Sequence, residues 1–105
     1  MSPYNNILVI CQGNICRSPV AEALLKQAMP DKQVQSAGLT AMVGQGCDVT
    51  AAELASAEGL DTSAHSARQL TPEMIQWADL ILVMSQGQRG QLGNTAPEAI
   101  GKTML

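Results

Sequence analysis

The sequence predicts an α/β fold, an open four-stranded parallel sheet with strand order 2-1-3-4 and helices on both faces. Short apolar, β-branched runs alternate with helix-like segments, which is typical of parallel strands joined by helical crossovers. The chain has 105 residues, 46% of them hydrophobic and 14% charged, as expected for one globular domain over residues 1–105. A loop of small and polar residues follows the first apolar run, where open α/β sheets bind ligands.

The first strand and the first helix flank that loop. Residues 6–10 (NILVI) are mainly apolar and predict a buried strand, and residues 11–18 form the loop. Ser18 and Pro19 predict the start of a helix, with the serine as its cap and the proline at its first position. Residues 33–36 predict the second strand, after this helix has ended.

Capping signals predict two further helices. Thr50 and Glu53 have the spacing of a capping box, so we expect a helix that continues to residue 58. We interpret Asp48, just before it, as part of the same cap rather than as a catalytic acid. Thr71, followed by a proline, predicts the start of a short helix.

Two later segments complete the predicted sheet. Residues 79–84 and 102–105 predict the third and fourth strands, whereas residues 85–93 contain three glycines and predict a helix only weakly. Because parallel crossovers are right-handed, this strand order places the first helix on one face and every later helix on the other. One helix is too small to cover a four-stranded face, so a further helix is expected beyond these residues.

Composition excludes several classes of function. The net charge of −3 leaves no basic stripe for nucleic acid. No apolar run approaches the roughly 18 residues that a membrane span needs, and no signal peptide is expected. The three cysteines are an odd number without an export signal, so we expect reduced thiols and a cytoplasmic protein.

The loop at residues 11–18, CQGNICRS, has four possible interpretations. A structural disulfide between Cys11 and Cys16 is disfavoured in the cytoplasm. A zinc site lacks ligands, because Cys47 and His65 do not have ligand spacing. A plain turn gives no reason for Cys11 and Arg17. A phosphate-binding loop explains all of these residues.

In that interpretation, consecutive backbone N–H groups surround an anion at the positive end of the helix, and Gly13 allows the chain to curl. Arg17 adds a planar group that can hold two phosphate oxygens. The same donors favour Cys11 as a thiolate nucleophile. The residues expected to bind the phosphate are Gln12, Gly13, Asn14, Ile15 and Cys16. Peroxide should join Cys16, as the redox partner, to Cys11 in a reversible disulfide.

The stretch VICQGNICRSP at residues 9–19 resembles the signature of the low-molecular-weight protein tyrosine phosphatases, which thioredoxin-coupled arsenate reductases share. QSAGL (35–39), HSARQL (65–70), ADLILVM (78–84) and APEAIGKTML (96–105) extend the resemblance over the whole chain, to the bacterial branch linked to capsule and exopolysaccharide tyrosine kinases. The reductases need further cysteines near residues 80–90, where this chain has none.

The resemblance implies a phosphatase for phosphotyrosine proteins, with a bacterial tyrosine kinase as a candidate partner and no cofactor or metal. It implies that Cys11 carries the phosphoryl group and that Arg17 binds its oxygens. It further implies that Asn14 holds the loop in shape and that Ser18 assists departure of the thiolate. A module that binds phosphate or phosphotyrosine with little turnover is the alternative.

The chain departs from the family pattern at its end. The family's general acid, an aspartate in an Asp-Pro-Tyr segment, follows the fourth strand, and its last helix comes later still. We therefore expect the acid and that helix outside residues 1–105, and impaired turnover without them. Within the chain, His65 and Arg68 are expected to be structural. Met42 either lines the pocket against a phenyl ring or anchors its own loop.

Overall fold

The computed structural model describes residues 5–104 and contains the predicted sheet. Four parallel strands lie in the order β2-β1-β3-β4. They are β1 (Asn6–Cys11), β2 (Gln33–Gly38), β3 (Leu80–Val83) and β4 (Thr103–Met104). The predicted fourth strand is therefore confirmed at its centre, and Leu105 lies outside the described residues.

Four α-helices and one 3₁₀ helix connect these strands. They are α1 (Arg17–Ala28), α2 (Val49–Ala57), α3 (Pro72–Trp77), α4 (Gln86–Thr95) and the 3₁₀ helix Pro97–Lys102. The weakly predicted helix at residues 85–93 is thus present, and the 3₁₀ helix was not predicted. Within residues 5–104, no helix is both long enough and apolar enough to cross a membrane.

The cap of α1 differs from the sequence prediction, whereas the expected capping role of Asp48 in α2 is confirmed, with Thr50 inside that helix. Ser18 lies inside α1, whose cap position is Cys16 and whose start has no side-chain cap. Pro19 is accordingly the third helical residue, still in the first turn, where its missing N–H leaves no helical bond unmade. The cap of α2 is Asp48, whose Oδ2 accepts a hydrogen bond from the backbone N–H of Ala51 at 3.2 Å.

Helices cover both faces of the sheet. The prediction that every later helix lies opposite α1 is confirmed for α3 and α4 but is wrong for α2, which packs against α1 and adds no residue to either core, because α3 already forms the crossover from β2 to β3. Residues of α1 pack on one face, where the core contains Ile7, Val9 and Val34 together with Ala21, Leu25 and Met29. Residues of α3, α4 and the 3₁₀ helix pack on the other face, where the core contains Leu8, Ile10, Ile75, Ile81, Val83, Leu92 and Ala99. The loop that joins β1 to α1 therefore lies at the carboxyl ends of the central strands.

Candidate active site

The loop between β1 and α1 is fixed through its own carbonyl groups. The carbonyl oxygens of residues 11, 12, 13 and 15 accept hydrogen bonds from the backbone N–H groups of residues 39, 40, 42 and 48, at 2.7 to 3.0 Å. The carbonyl of Asn14 lies 2.6 Å from His65 Nε2. Five consecutive carbonyls are thus held by the surrounding protein. The backbone N–H of Asn14, by contrast, points into the loop and donates to Cys11 Sγ at 3.3 Å. We call this side of the loop its amide edge.

Asn14 supplies the unusual backbone conformation of the loop. Its φ is 59°, in the left-handed region, and it is completely buried. Its Nδ2 donates to Ser18 Oγ at 2.7 Å and to Ser36 Oγ at 3.0 Å. Its Oδ1 accepts from the N–H of Arg68 at 2.8 Å. These bonds stabilise a conformation that asparagine tolerates better than most residues.

The prediction that Gly13 allows the loop to curl is wrong. Gly13 has no positive φ, and a Cβ on it would meet its nearest neighbours at an ordinary 3.7 Å. The glycine that the loop requires is Gly38, at the end of β2. A Cβ there would lie 2.8 Å from the carbonyl oxygen of Gln12 and 3.0 Å from Ala41.

Cys11 ends β1 with its side chain almost completely buried. Its Sγ lies 2.9 Å from Ser18 Oγ, in addition to its bond from the Asn14 N–H. Because Asn14 donates to the Ser18 oxygen, the serine hydroxyl hydrogen is available to the sulfur. Two donors directed at one sulfur suit an anionic nucleophile and an anionic leaving group.

A cavity of about 400 Å³ opens above this sulfur. Arg17 is exposed on its wall, and its guanidinium makes no hydrogen bond or ion pair within the described part of the chain. The cavity is lined by Cys11, Gln12, Gly13, Ile15, Cys16, Arg17, Ser85 and Gln88. Six of the predicted site residues therefore meet there.

The other predicted site residues lie outside the cavity lining. Asn14 and Ser18 are buried beneath the loop, where they hold Cys11. Met42 is 46% exposed and does not line the cavity, although its Cγ lies close to Gly13. Its contact with a phenyl ring stays a prediction.

Cys16 differs from Cys11 in its surroundings. Its side chain is exposed toward the cavity. The partial burial of its sulfur raises the pKa of Cys16 above the usual value for a thiol, and the Asp48 carboxylate adds to this shift. We therefore expect Cys16 to be a protonated thiol at neutral pH.

Sequence reasoning missed a hydrogen-bonded network beneath the loop. Ser36 accepts from Asn14 and donates to Glu22 Oε1, which connects the loop to α1. The predicted structural roles of His65 and Arg68 are confirmed, since Arg68 Nη2 also donates to the Ser36 carbonyl at 3.2 Å. The sequence signal for Ser36 was its place in a predicted buried strand, because a buried serine needs a hydrogen-bond partner.

Sequence reasoning also missed the residues that α4 contributes. Ser85 caps this helix by accepting from the N–H of Gln88, and both side chains line the cavity. The spacing of serine and glutamine matches a capping box, which was the available signal. Among residues 5–104, no group of three His, Cys, Asp or Glu side chains is arranged to hold a metal ion.

A sequence profile described as low molecular weight phosphotyrosine protein phosphatase matches residues 6–105. The chain belongs to this family. A relative in the family, the low molecular weight protein-tyrosine-phosphatase Ptp of Acinetobacter johnsonii, is 49% identical over 100 residues, which are 95% of this chain and 70% of Ptp.

Solved structures of the family have the same fold. The tyrosine phosphatase AmsI of Erwinia amylovora is 48% identical with a TM-score of 0.94, and the match covers 97% of this chain and 68% of AmsI. Wzb of Vibrio vulnificus, in complex with benzylphosphonate, is 45% identical with a TM-score of 0.94, and the match covers 97% of this chain and 73% of Wzb.

Proposed function

We propose that this protein hydrolyses phosphotyrosine in proteins through a phosphocysteine intermediate at Cys11. The observation that carries the proposal is one cavity that contains a buried sulfur with two donors directed at it and the free guanidinium of Arg17. The names of the similar proteins support it. The benzylphosphonate in the Vibrio vulnificus structure also supports it, because this compound joins an aromatic ring to a phosphoryl-like group.

The proposed reaction has two displacements. In the first, the Cys11 thiolate attacks phosphorus, an S–P bond forms, and the bond from phosphorus to the phenolic oxygen breaks. Arg17 and the loop N–H groups hold the other three oxygens, where charge is spread in the transition state. In the second, water attacks phosphorus and the S–P bond breaks. Inorganic phosphate leaves with both hydrogens of the water, and the sulfur is released as a thiolate, which accepts a hydrogen bond from Ser18.

The phenolic oxygen also needs a proton or another source of stabilisation as it leaves. None of the described residues that line the cavity is acidic. Asp48 does not line it and caps α2 instead. A p-nitrophenolate leaves readily without a proton, whereas the phenolate of tyrosine does not. We therefore expect the 105-residue chain to hydrolyse p-nitrophenyl phosphate faster than phosphotyrosine peptides.

Replacement of the nucleophile tests the proposal. Cys11→Ser should abolish turnover of p-nitrophenyl phosphate, while vanadate should still raise the melting temperature because the loop is intact. Arg17→Lys should lower kcat/KM by about 10²-fold or more, because an ammonium cannot replace the planar guanidinium. Cys47→Ser changes a cysteine outside the cavity and should behave as wild type. Undiminished turnover in Cys11→Ser would contradict the assignment.

A steady-state assay separates the enzyme from the binding module. Repeated turnover supports the phosphatase, whereas one equivalent of trapped phosphocysteine supports the module. We further propose a bacterial phosphotyrosine protein as the substrate, with a tyrosine kinase as the candidate partner and the cytoplasm as the compartment. The reduced Cys11 that catalysis needs and the bacterial origin of the relatives support this. Capture of a phosphorylated kinase by Cys11→Ser, competed by vanadate, would test the partner.

A further inference from the structure

We propose that the side-chain amide of Gln88 donates a hydrogen bond to the leaving oxygen of the substrate. This inference rests on the proposed phosphatase function and adds a residue from α4 to it. Gln88 is half-buried in the first turn of that helix and lines the same cavity as Cys11 and Arg17.

The orientation of the amide is fixed by the turn between β3 and α4. Gln88 Oε1 accepts a hydrogen bond from the backbone N–H of Met84 at 3.0 Å. The backbone N–H of Gln88 donates to Ser85 Oγ at 3.2 Å. A backbone N–H can only donate, so the atom facing Met84 must be the oxygen. The Nε2 group, with two hydrogens, is then the free end of the side chain.

Within the described part of the chain, Nε2 of Gln88 has no acceptor. A half-buried amide at the wall of a cavity can complete its hydrogen bonds with whatever occupies that cavity. The loop at residues 11–17 supplies six of the eight lining residues, and α4 with its cap supplies the other two. The amide therefore belongs to the part of the wall that the loop does not form.

The chemistry indicates which oxygen this donor meets. In an in-line displacement, the attacking sulfur and the leaving oxygen lie on opposite sides of phosphorus. The loop and Arg17 surround Cys11 and the three remaining oxygens, so the leaving oxygen points away from them. A neutral donor on the remaining wall stabilises negative charge as it develops on that oxygen.

A different role for Gln88 is to close the turn by accepting from Met84. The two roles separate in a series of substituted phenyl phosphates. Loss of a leaving-group donor lowers kcat/KM more as the leaving phenolate becomes more basic, whereas a damaged turn lowers kcat/KM equally for all substrates. The dependence of kcat/KM on leaving-group basicity is therefore the decisive readout.

The experiment compares wild type with three variants of the full 105-residue chain. Gln88→Met should lose about tenfold on phenyl phosphate but less than about twofold on p-nitrophenyl phosphate. Gln88→Glu keeps an acceptor for Met84 but has no hydrogen to donate at neutral pH. Like Gln88→Met, it should therefore show a kcat/KM that falls more steeply than in wild type as the leaving phenolate becomes more basic. Gln86→Met makes the matched change on the same turn outside the cavity, and should behave as wild type.

The role of the amide would be overturned if Gln88→Met lost kcat/KM equally on all substrates. It would also be overturned if kcat/KM of Gln88→Glu depended on leaving-group basicity as it does in wild type. If wild type turns over no aryl phosphate, the proposed function fails, and binding of vanadate decides the role of Gln88. Vanadate bound to a thiolate carries an oxygen opposite the sulfur, so Gln88→Met should weaken its binding about tenfold if the amide meets that oxygen. Equal affinity for vanadate in both proteins would overturn the inference.

Discussion

Replacement of Asn14 should destabilise the whole protein as well as its catalytic loop. The buried side chain makes three hydrogen bonds, to Ser18, Ser36 and the N–H of Arg68. At about 1 kcal/mol each, their loss costs about 3 kcal/mol. Alanine at a φ of 59° adds up to about 1 kcal/mol, because asparagine tolerates the left-handed region better than alanine although both carry a Cβ. We therefore expect Asn14→Ala to lower the free energy of unfolding by about 3–4 kcal/mol.

Glycine separates the two contributions. Asn14→Gly also loses the hydrogen bonds but avoids the strain, while its greater freedom in the unfolded chain costs about 0.5–1 kcal/mol. It should therefore be more stable than Asn14→Ala by up to about 1 kcal/mol. Both variants should have strongly reduced kcat/KM, since the amide edge of the loop is no longer held against Cys11.

Urea unfolding, followed by fluorescence, measures these differences. Trp77 is the one tryptophan of the sequence and packs against the main core cluster, so its emission reports global unfolding. Asn94→Ala, at an exposed position of α4, is the control and should change the free energy of unfolding by less than about 0.5 kcal/mol. Wild-type stability in Asn14→Gly would refute the role of the hydrogen bonds. Greater stability in Asn14→Ala than in Asn14→Gly would refute the role of the left-handed backbone.

Two further predictions concern the glycines and the cysteines. Gly38→Ala should lower the free energy of unfolding by about 1–3 kcal/mol and also lower kcat/KM, because its Cβ displaces the carbonyl of Gln12. Gly13→Ala should keep the free energy of unfolding or raise it by up to about 1 kcal/mol. Thermal denaturation of both variants checks this. Mild peroxide should join Cys11 to Cys16 reversibly, and closure should accelerate as pH rises toward the raised pKa of Cys16, which mass spectrometry of quenched samples measures. A bridge to Cys47, or only irreversible oxidation of Cys11, would contradict this expectation.

The sheet and the place of the site could be predicted because they depend on local patterns and on handedness. A mainly apolar run at residues 6–10 followed by a polar loop is visible in the sequence alone. The right-handed crossover then determines which face each helix covers. Cys11 and Arg17 could be named because a nucleophile and a planar cation on one loop have few other uses.

The internal support of the loop could not be predicted, because it depends on residues far along the chain. Gly13 and Asn14 can both adopt a positive φ, and the choice rests on Ser36 and Arg68, which lie 22 and 54 positions after Asn14. Helix α4 was predicted only weakly because glycine disfavours helices. Leu92, completely buried in the core, provides the packing that local propensity does not show.

The bonds between the catalytic loop and the segment after β2 make that segment a reporter of the loop. The backbone N–H groups of residues 39, 40, 42 and 48 donate hydrogen bonds to carbonyl groups of the loop. Each is therefore protected from exchange with solvent only while the loop is in place. Their exchange with deuterium should slow together when a phosphate analogue occupies the cavity. Amides far from Cys11 in the sequence would thus record, residue by residue, how often the catalytic site opens.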